Sequence, residues 1–256
     1  MLLATWNVNS IRAREERLLA WLERWQPDVL CLQELKVADE DFPYERLRAA
    51  GYCAAVNAQK TYNGVAILTR KPCENVQCNF CDEVDDTQAR LISVKYNEVQ
   101  IVCAYIPNGQ TYGSEKYQYK VQWLERLRRW LEAHCDPAQP LLLCGDFNIA
   151  PAEIDVHNPE SWVRSVLFHP EMRQILRERI LSWGLHDLFR EKNPDTAAYS
   201  WWDYRMLGFP KNDGLRLDLI LGTNPMLQRC ESVEIDRNER KGKLPSDHAP
   251  VVARFN

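Results

Sequence analysis

A chain of 256 residues, 45% hydrophobic and 27% charged, has the size and composition of one large α/β domain or two small ones, and excludes a disordered or fibrous protein. Its net charge of -4 excludes the broad basic surface that nonspecific nucleic-acid coating requires, though not a focused site with its own metal. No apolar run reaches membrane-spanning length, and Met1 leads into the strand-like LLATWNV without a basic n-region or cleavage site, so no membrane contact and a cytoplasmic location are expected.

Strand-like and helix-like segments alternate without a low-complexity linker, consistent with a single domain over 1–256. Leu2 to Val8 reads as a strand. Ile11, Leu18, Leu22 and Trp25 then share a helical face, closed by Pro27. Asp28 to Gln33 is a second strand delivering Glu34, and a short helix over 44–50 ends at Gly51. Strands follow at 52–57, 64–69, 90–96 and 99–106, the last two joined by Asn97-Glu98 as a hairpin. Ser114 caps a helix that turns Tyr117, Val121, Leu124 and Leu131 inward. After the buried strand at 141–144 comes a long irregular stretch, then a helix from Pro170 to Trp183 with Gly184 behind it. The final strands are 216–221, 232–236 and 249–255. Two packed mixed sheets with helices outside accommodate this order. The nine cysteines, Cys31, Cys103 and Cys144 among them, read as buried free thiols. Cys73, Cys78 and Cys81 have a C-x4-C-x2-C spacing but no convincing fourth ligand for an iron–sulfur cluster.

Polar residues gather where these strands end. Asn7 ends the first, Glu34 follows the second, and Asp146 and Asn148 close LLLCGDFNIAP, where an Asx turn is the plain alternative. Asp218 lies inside the apolar RLDLIL and needs a partner, for which His248 in SDHAPV is the candidate. Carboxylate and amide oxygens are hard ligands suited to Mg²⁺ or Mn²⁺. The set suggests Glu34 as the main metal carboxylate, assisted by Asn7 and Asp247, and Asp146 as base for an attacking water, with Asn148 fixing that carboxylate or the phosphate. His248, held by Asp218, would donate to a phosphoryl oxygen.

The ordered segments WNVNSIR (6–12), LQELK (32–36), NGVAILT (63–69), YIPNG (105–109), GDFNIAP (145–151), SWWDYR (200–205), GLRLDLIL (214–221) and SDHAPV (246–251) resemble the motif series of the exonuclease III family, within the endonuclease/exonuclease/phosphatase superfamily. The resemblance implies a four-layered α/β sandwich (DNase I-like), two packed mixed β-sheets flanked by helices. It implies a monomeric Mg²⁺- or Mn²⁺-dependent DNA repair phosphodiesterase, acting on double-stranded DNA at 3′ ends, nicks or abasic sites. On the matching positions, Asn7, Glu34 and Asp247 belong to the metal site, Tyr105 and Asn108 contact the scissile phosphate, Asp146 and Asn148 handle the nucleophile, and Asp218 orients His248. Trp201 and Leu217 resemble positions lining a small pocket for a base-less sugar, with core packing the alternative for both.

Arg12, Lys36, Lys60, Arg90, Arg205, Lys211 and Arg216 lie near motif loops and are candidate DNA phosphate contacts, with solvated surface as the alternative. The chain departs from the resemblance at Arg164 and His169, where smaller residues are usual. His169 precedes Pro170 at a helix start, a place that favours Ser, Thr, Asp or Asn, which suggests a steric role against a flipped abasic sugar or the continuing strand, with an exposed loop histidine as the alternative. The expected activities are therefore 3′-to-5′ exonuclease and 3′-phosphatase, with abasic-site endonuclease activity left open. The rival classes are a superfamily relative hydrolysing an inositol phosphate or sphingomyelin, and a non-catalytic DNA-binding protein.

Overall fold

Strands apolar at consecutive positions must be covered on both faces, and the central strands of this protein are. The computed structural model describes all 256 residues. Its strands are β1 (Leu2–Asn7), β2 (Val29–Gln33), β3 (Cys53–Asn57), β4 (Val65–Thr69), β5 (Glu74–Cys78), β6 (Leu91–Tyr96), β7 (Val99–Tyr105), β8 (Leu141–Asp146), β9 (Leu185–Asp187), β10 (Asp218–Thr223), β11 (Cys230–Ile235) and β12 (Val251–Phe255). They form two six-stranded sheets, β11-β12-β1-β2-β4-β3 and β5-β6-β7-β8-β10-β9. The pairs β1–β2 and β7–β8 are parallel and the others antiparallel, so both sheets are mixed as expected.

Side-chain alternation divides the apolar residues into three layers. Leu3, Cys31, Cys103, Leu142, Cys144 and Ile220 fill the space between the sheets. Ala4, Trp6, Leu30 and Leu32 face outward under helix α1 (Ile11–Trp25). Val102, Leu141, Leu143 and Leu219 face outward beneath the other helical layer. Helix α2 (Tyr44–Ala49) buries Leu47, and α3 (Glu115–His134) covers the second sheet with Trp123, Leu124, Leu127 and Leu131. Ser10 and Ser114 cap α1 and α3, accepting from Ala13 N and Tyr117 N. All nine cysteines are free. No helix is long and apolar enough to cross a membrane.

The sequence reading missed β5 and β9. Both are edge strands; the first is mostly exposed and the second has three residues, so neither carries an apolar run. Five further short helices are α4 (Pro159–Trp162), α5 (Pro170–Ile175), α6 (Leu188–Lys192), α7 (Gly208–Lys211) and α8 (Asn224–Arg229). The helix expected over 170–183 is continuous but changes winding. After α5 it passes through a π turn (Leu176–Ile180) and a 3-10 turn (Leu181–Trp183) before Gly184 ends it at φ 116°.

This topology positions the site through strand parity. Asn7 continues the inward row of Leu3 and Thr5; Tyr105 follows Ile101 and Cys103; Asp146 follows Leu142 and Cys144. Asp218 lies two residues from Ile220 on a strand running the opposite way. Register aligns Tyr105 with Asp146 and Asp146 with Asp218. The apolar layer between the sheets thus ends, on one side of the molecule, in a row of polar side chains.

Candidate active site

Gly145 shows why the β8 strand reaches the site undistorted by its parallel neighbour. At φ 147°, a Cβ there would lie 1.8 Å from the Ala104 carbonyl oxygen, so only glycine lets β7 and β8 pair up to Asp146. Beyond it, Asn148 takes a left-handed conformation with φ 49°, and its N–H donates to Asp146 Oδ1 at 2.9 Å. This is an Asx turn, and it serves the site as well. Asn148 Nδ2 also reaches Asp146 Oδ2 at 3.3 Å and Ile106 O at 3.0 Å. Asn9, Ser10, Glu34 and Lys36 likewise have positive φ, so the loops at this end of the sheets carry some of the chain's strained non-glycine backbone.

Asp146 lies at the centre and is 1% exposed. Its Oδ2 accepts from Asn7 Nδ2 at 2.9 Å and lies 3.7 Å from His248 Nε2. Burial pushes the Asp146 carboxyl up to about 7, with His248 opposing and Asp218 and Glu34 reinforcing the shift. His248 Nδ1 lies 2.8 Å from Asp218 Oδ2. Burial alone would lower this imidazole, but Asp218 and Asp146 outweigh it and raise it to about 10, so the ring is cationic at neutral pH. The ligand atoms of Asp146, Asp218 and His248 all lie within 4.8 Å of one another.

Glu34 Oε1 accepts from Asn7 Nδ2 at 3.0 Å and from the Tyr105 hydroxyl at 2.7 Å, while Oε2 meets Lys36 Nζ at 2.7 Å. Burial pushes this carboxyl up, but Lys36 and the two other donors outweigh it and hold it below its ordinary value. Burial next to Glu34 and Asp146 keeps the Tyr105 phenol protonated. Asp247 is joined to the same side through Asn9, whose Nδ2 donates to Asp247 Oδ1 at 2.8 Å and whose Oδ1 accepts from Lys36 at 2.7 Å. Trp201 Nε1 holds the other Asp247 oxygen at 3.1 Å. Asn108 Nδ2 donates to Asn148 Oδ1 at 3.1 Å. Segments distant in sequence therefore bring together Asn7, Glu34, Tyr105, Asn108, Asp146, Asn148, Asp218, Asp247 and His248.

Several sequence expectations change. Asn7 presents its N–H side, not its oxygen, to Glu34 and Asp146; its Oδ1 accepts from Asn9 N at 3.0 Å, so its geometry is that of an orienting donor. Arg216 is corrected from DNA contact to interior ion pair. It has no exposed surface, its Nε meets Asp155 at 2.7 Å, and its terminal nitrogens clasp Asp187 at 3.0 and 2.7 Å. A guanidinium so buried persists only because two acids neutralise it. Leu217, 1% exposed, belongs to the core with Phe147 and Ile149, so core packing is its role here. Trp201 is half-buried, edge-on to Trp162 at 5.7 Å, and stays beside the site. Arg205 is an exposed partner of Asp203.

His169 does act as a cap. Its Nδ1 accepts from Glu171 N at 3.3 Å, and its ring stacks on Tyr112 at 4.0 Å. Arg164 lies in an exposed turn of the same segment. That segment borders the site, because Ala150 N donates to Leu167 O at 2.7 Å.

Sequence reasoning missed Asn9, Ser200, Ser246 and Lys120. Ser200 Oγ accepts from the N–H groups of Leu217 and Asp218, and Ser246 Oγ joins Asn7 O to His248 N. Lys120 had a visible signal: it is a charge within the apolar helical row of Tyr117, Leu124, Leu127 and Leu131.

The family model described as Endonuclease/Exonuclease/phosphatase family matches residues 4–248. Exodeoxyribonuclease III of Haemophilus influenzae is 37% identical over 263 residues, covering 98% of each chain. Among solved structures, an AP endonuclease from Archaeoglobus fulgidus superposes with a TM-score of 0.96 at 39% identity, covering 100% of this chain and 99% of that one. The 3′ phosphatase NExo from Neisseria, bound to a product DNA hairpin, gives 0.97 at 37% identity with the same coverage. With this similarity along the whole chain and a convergent acid–imidazole centre, the protein belongs to the endonuclease/exonuclease/phosphatase family, as an exonuclease III-type DNA repair hydrolase.

Proposed function

We propose that this enzyme hydrolyses phosphoesters at the 3′ ends of double-stranded DNA, as a 3′-to-5′ exonuclease and 3′-phosphatase, with a divalent cation, acting as a monomer in the cytoplasm. The observation that carries the proposal is the position of Asp146, between amide donors on one side and the His248–Asp218 pair on the other. Asp146 takes a proton from water as its oxygen attacks phosphorus, the bond from phosphorus to the 3′ oxygen breaks in line, and that oxygen takes a proton from solvent as it leaves. Cationic His248, held through Nδ1 by Asp218, offers Nε2–H to a phosphoryl oxygen whose charge grows during attack. The amide groups of Asn108 and Asn148 supply further donors for the phosphate, and Tyr105 would join them by turning its one hydroxyl proton away from Glu34.

The residues fit a hard cation. Glu34 and Asp247 carry buried or half-buried carboxylates beside the amide network, and oxygen donors of this kind suit Mg²⁺ or Mn²⁺. Glu34 would hold the ion, with Asp247 assisting and Asn7 keeping the Glu34 carboxylate aimed. When bound, the ion would neutralise charge on the phosphate oxygens. Among the candidate phosphate holders outside the centre, exposed Arg205 and half-buried Arg90 remain suited to DNA, and half-buried Trp201, beside Asp247, would meet a sugar. His169, on the loop packed against Ala150, would restrict an internal abasic sugar and favour 3′-end processing over incision.

Full-length similarity to DNA-acting enzymes favours this reading over an inositol phosphate or sphingomyelin hydrolase, and intact Glu34, Asp146 and His248 oppose a non-catalytic binding protein. The test uses three labelled duplexes, with a recessed 3′ end, a 3′-phosphate at a nick, and an internal abasic site. Chelator-sensitive shortening and dephosphorylation of the first two are expected. Absence of product from both, with Mg²⁺ or Mn²⁺ supplied, overturns the proposal.

A further inference from the structure

One fully buried charge has no part in the chemistry described above. Lys120 has no exposed surface and no carboxylate partner within ion-pairing distance. Its ammonium instead donates to two main-chain carbonyls, Asn148 O at 2.6 Å and Asn108 O at 3.1 Å. These belong to different loops, one following β7 and the other following β8. The side chains of the same two asparagines bond to each other at 3.1 Å, and Asn148 reaches on to Asp146. Gly109 completes the enclosure: at φ 89°, a Cβ there would lie 3.0 Å from Lys120 Cδ, so the loop closes tightly over the lysine stem.

Burying an ammonium is costly, and an apolar side chain of similar volume would pack the outer layer at less expense. Burial lowers the lysine to about 7, with Asp146 pulling in the opposite direction. Yet even the neutral amine has two N–H groups for two carbonyls. The placement makes sense as a means of fixing the loops' separation.

We infer that Lys120 is a positioning residue that, through the carbonyls of Asn108 and Asn148, sets the spacing of the two amides that meet the phosphate. The inference rests on the phosphate roles proposed above for those asparagines. An error of about 1 Å in such groups is enough for a hundredfold loss of rate.

The experiment compares Lys120→Met, Asn148→Ala and the double variant with the wild type on the 3′-phosphate duplex, recording kcat, KM and melting temperature. Lys120→Met is expected to lower kcat by about 10- to 100-fold with KM changed less than about threefold. In the Asn148→Ala background the same substitution is expected to cost less than about threefold, because both act through one group. A general loosening of the fold would instead multiply the two losses. Lys120→Gln, which retains an N–H donor, is measured alongside, is expected to recover part of kcat, and replaces Lys120→Met if that variant fails to fold. Wild-type-like kcat in the folded Met variant, a folded Gln variant no better than Met, or full multiplicativity in the double variant made with either substitution, overturns the inference. Inactive wild type would instead overturn the functional proposal, so the two failures are distinct.

Discussion

His248 Nδ1 lies 2.8 Å from Asp218 Oδ2 while its Nε2 faces Asp146 Oδ2 at 3.7 Å, so one imidazole is shared between a carboxylate that holds it and a carboxylate that works beside it. The pair gives a pH signature. The proposed mechanism requires Asp146 ionised, above about 7, and His248 protonated, below about 10. A bell-shaped profile of kcat/KM is expected, with limbs belonging to the coupled pair. Asp218→Asn removes the carboxylate that favours the cation, so the alkaline limb should move to lower pH. An unmoved limb in single-turnover measurements would remove His248 from the assignment.

Asp146→Asn is expected to abolish hydrolysis and raise stability. A carboxyl whose folded value exceeds its unfolded value disfavours folding once the unfolded chain ionises. The penalty is absent below about 3.8, grows as pH rises, and is complete above about 7. The variant should therefore melt higher than wild type at pH 8 with chelator present, and equally at pH 3. Each kcal/mol recovered corresponds to about 2–4 °C. A lower melting temperature at pH 8 contradicts the electrostatic account.

Arg216 and Arg205 are both arginines near motif loops, yet they should behave oppositely. Arg216→Met leaves Asp155 and Asp187 short of a buried partner and should destabilise by about 3–5 kcal/mol. Arg205→Ala removes only an exposed ion pair, so melting should be unchanged while DNA binding weakens and its salt slope drops by about 0.9. Denaturant titration and binding at several salt concentrations distinguish the two; a destabilised Arg205→Ala variant contradicts this assignment.

His169→Ser retains an acceptor for Glu171 N but removes the ring stacked on Tyr112. Incision at an internal abasic analogue should increase by roughly tenfold, given the sensitivity of catalysis to substrate placement, with 3′-phosphatase activity little changed. Unchanged incision refutes the steric role.

The chain itself determined the two mixed sheets and most of the candidate site, because polar residues end apolar strands, as where alternation runs from Leu142 through Cys144 to Asp146, whereas Tyr105 and Asn108 were legible only through the family resemblance. A polar residue that ends an apolar row is visible locally. Only the tertiary structure decided that Arg216 is interior, that Asn7 turns its N–H groups to the acids, that Asn9 joins Asp247 to Lys36, and that Lys120 holds two loops. Each depends on a partner distant along the chain, and whether a buried charge survives is settled by what meets it in space.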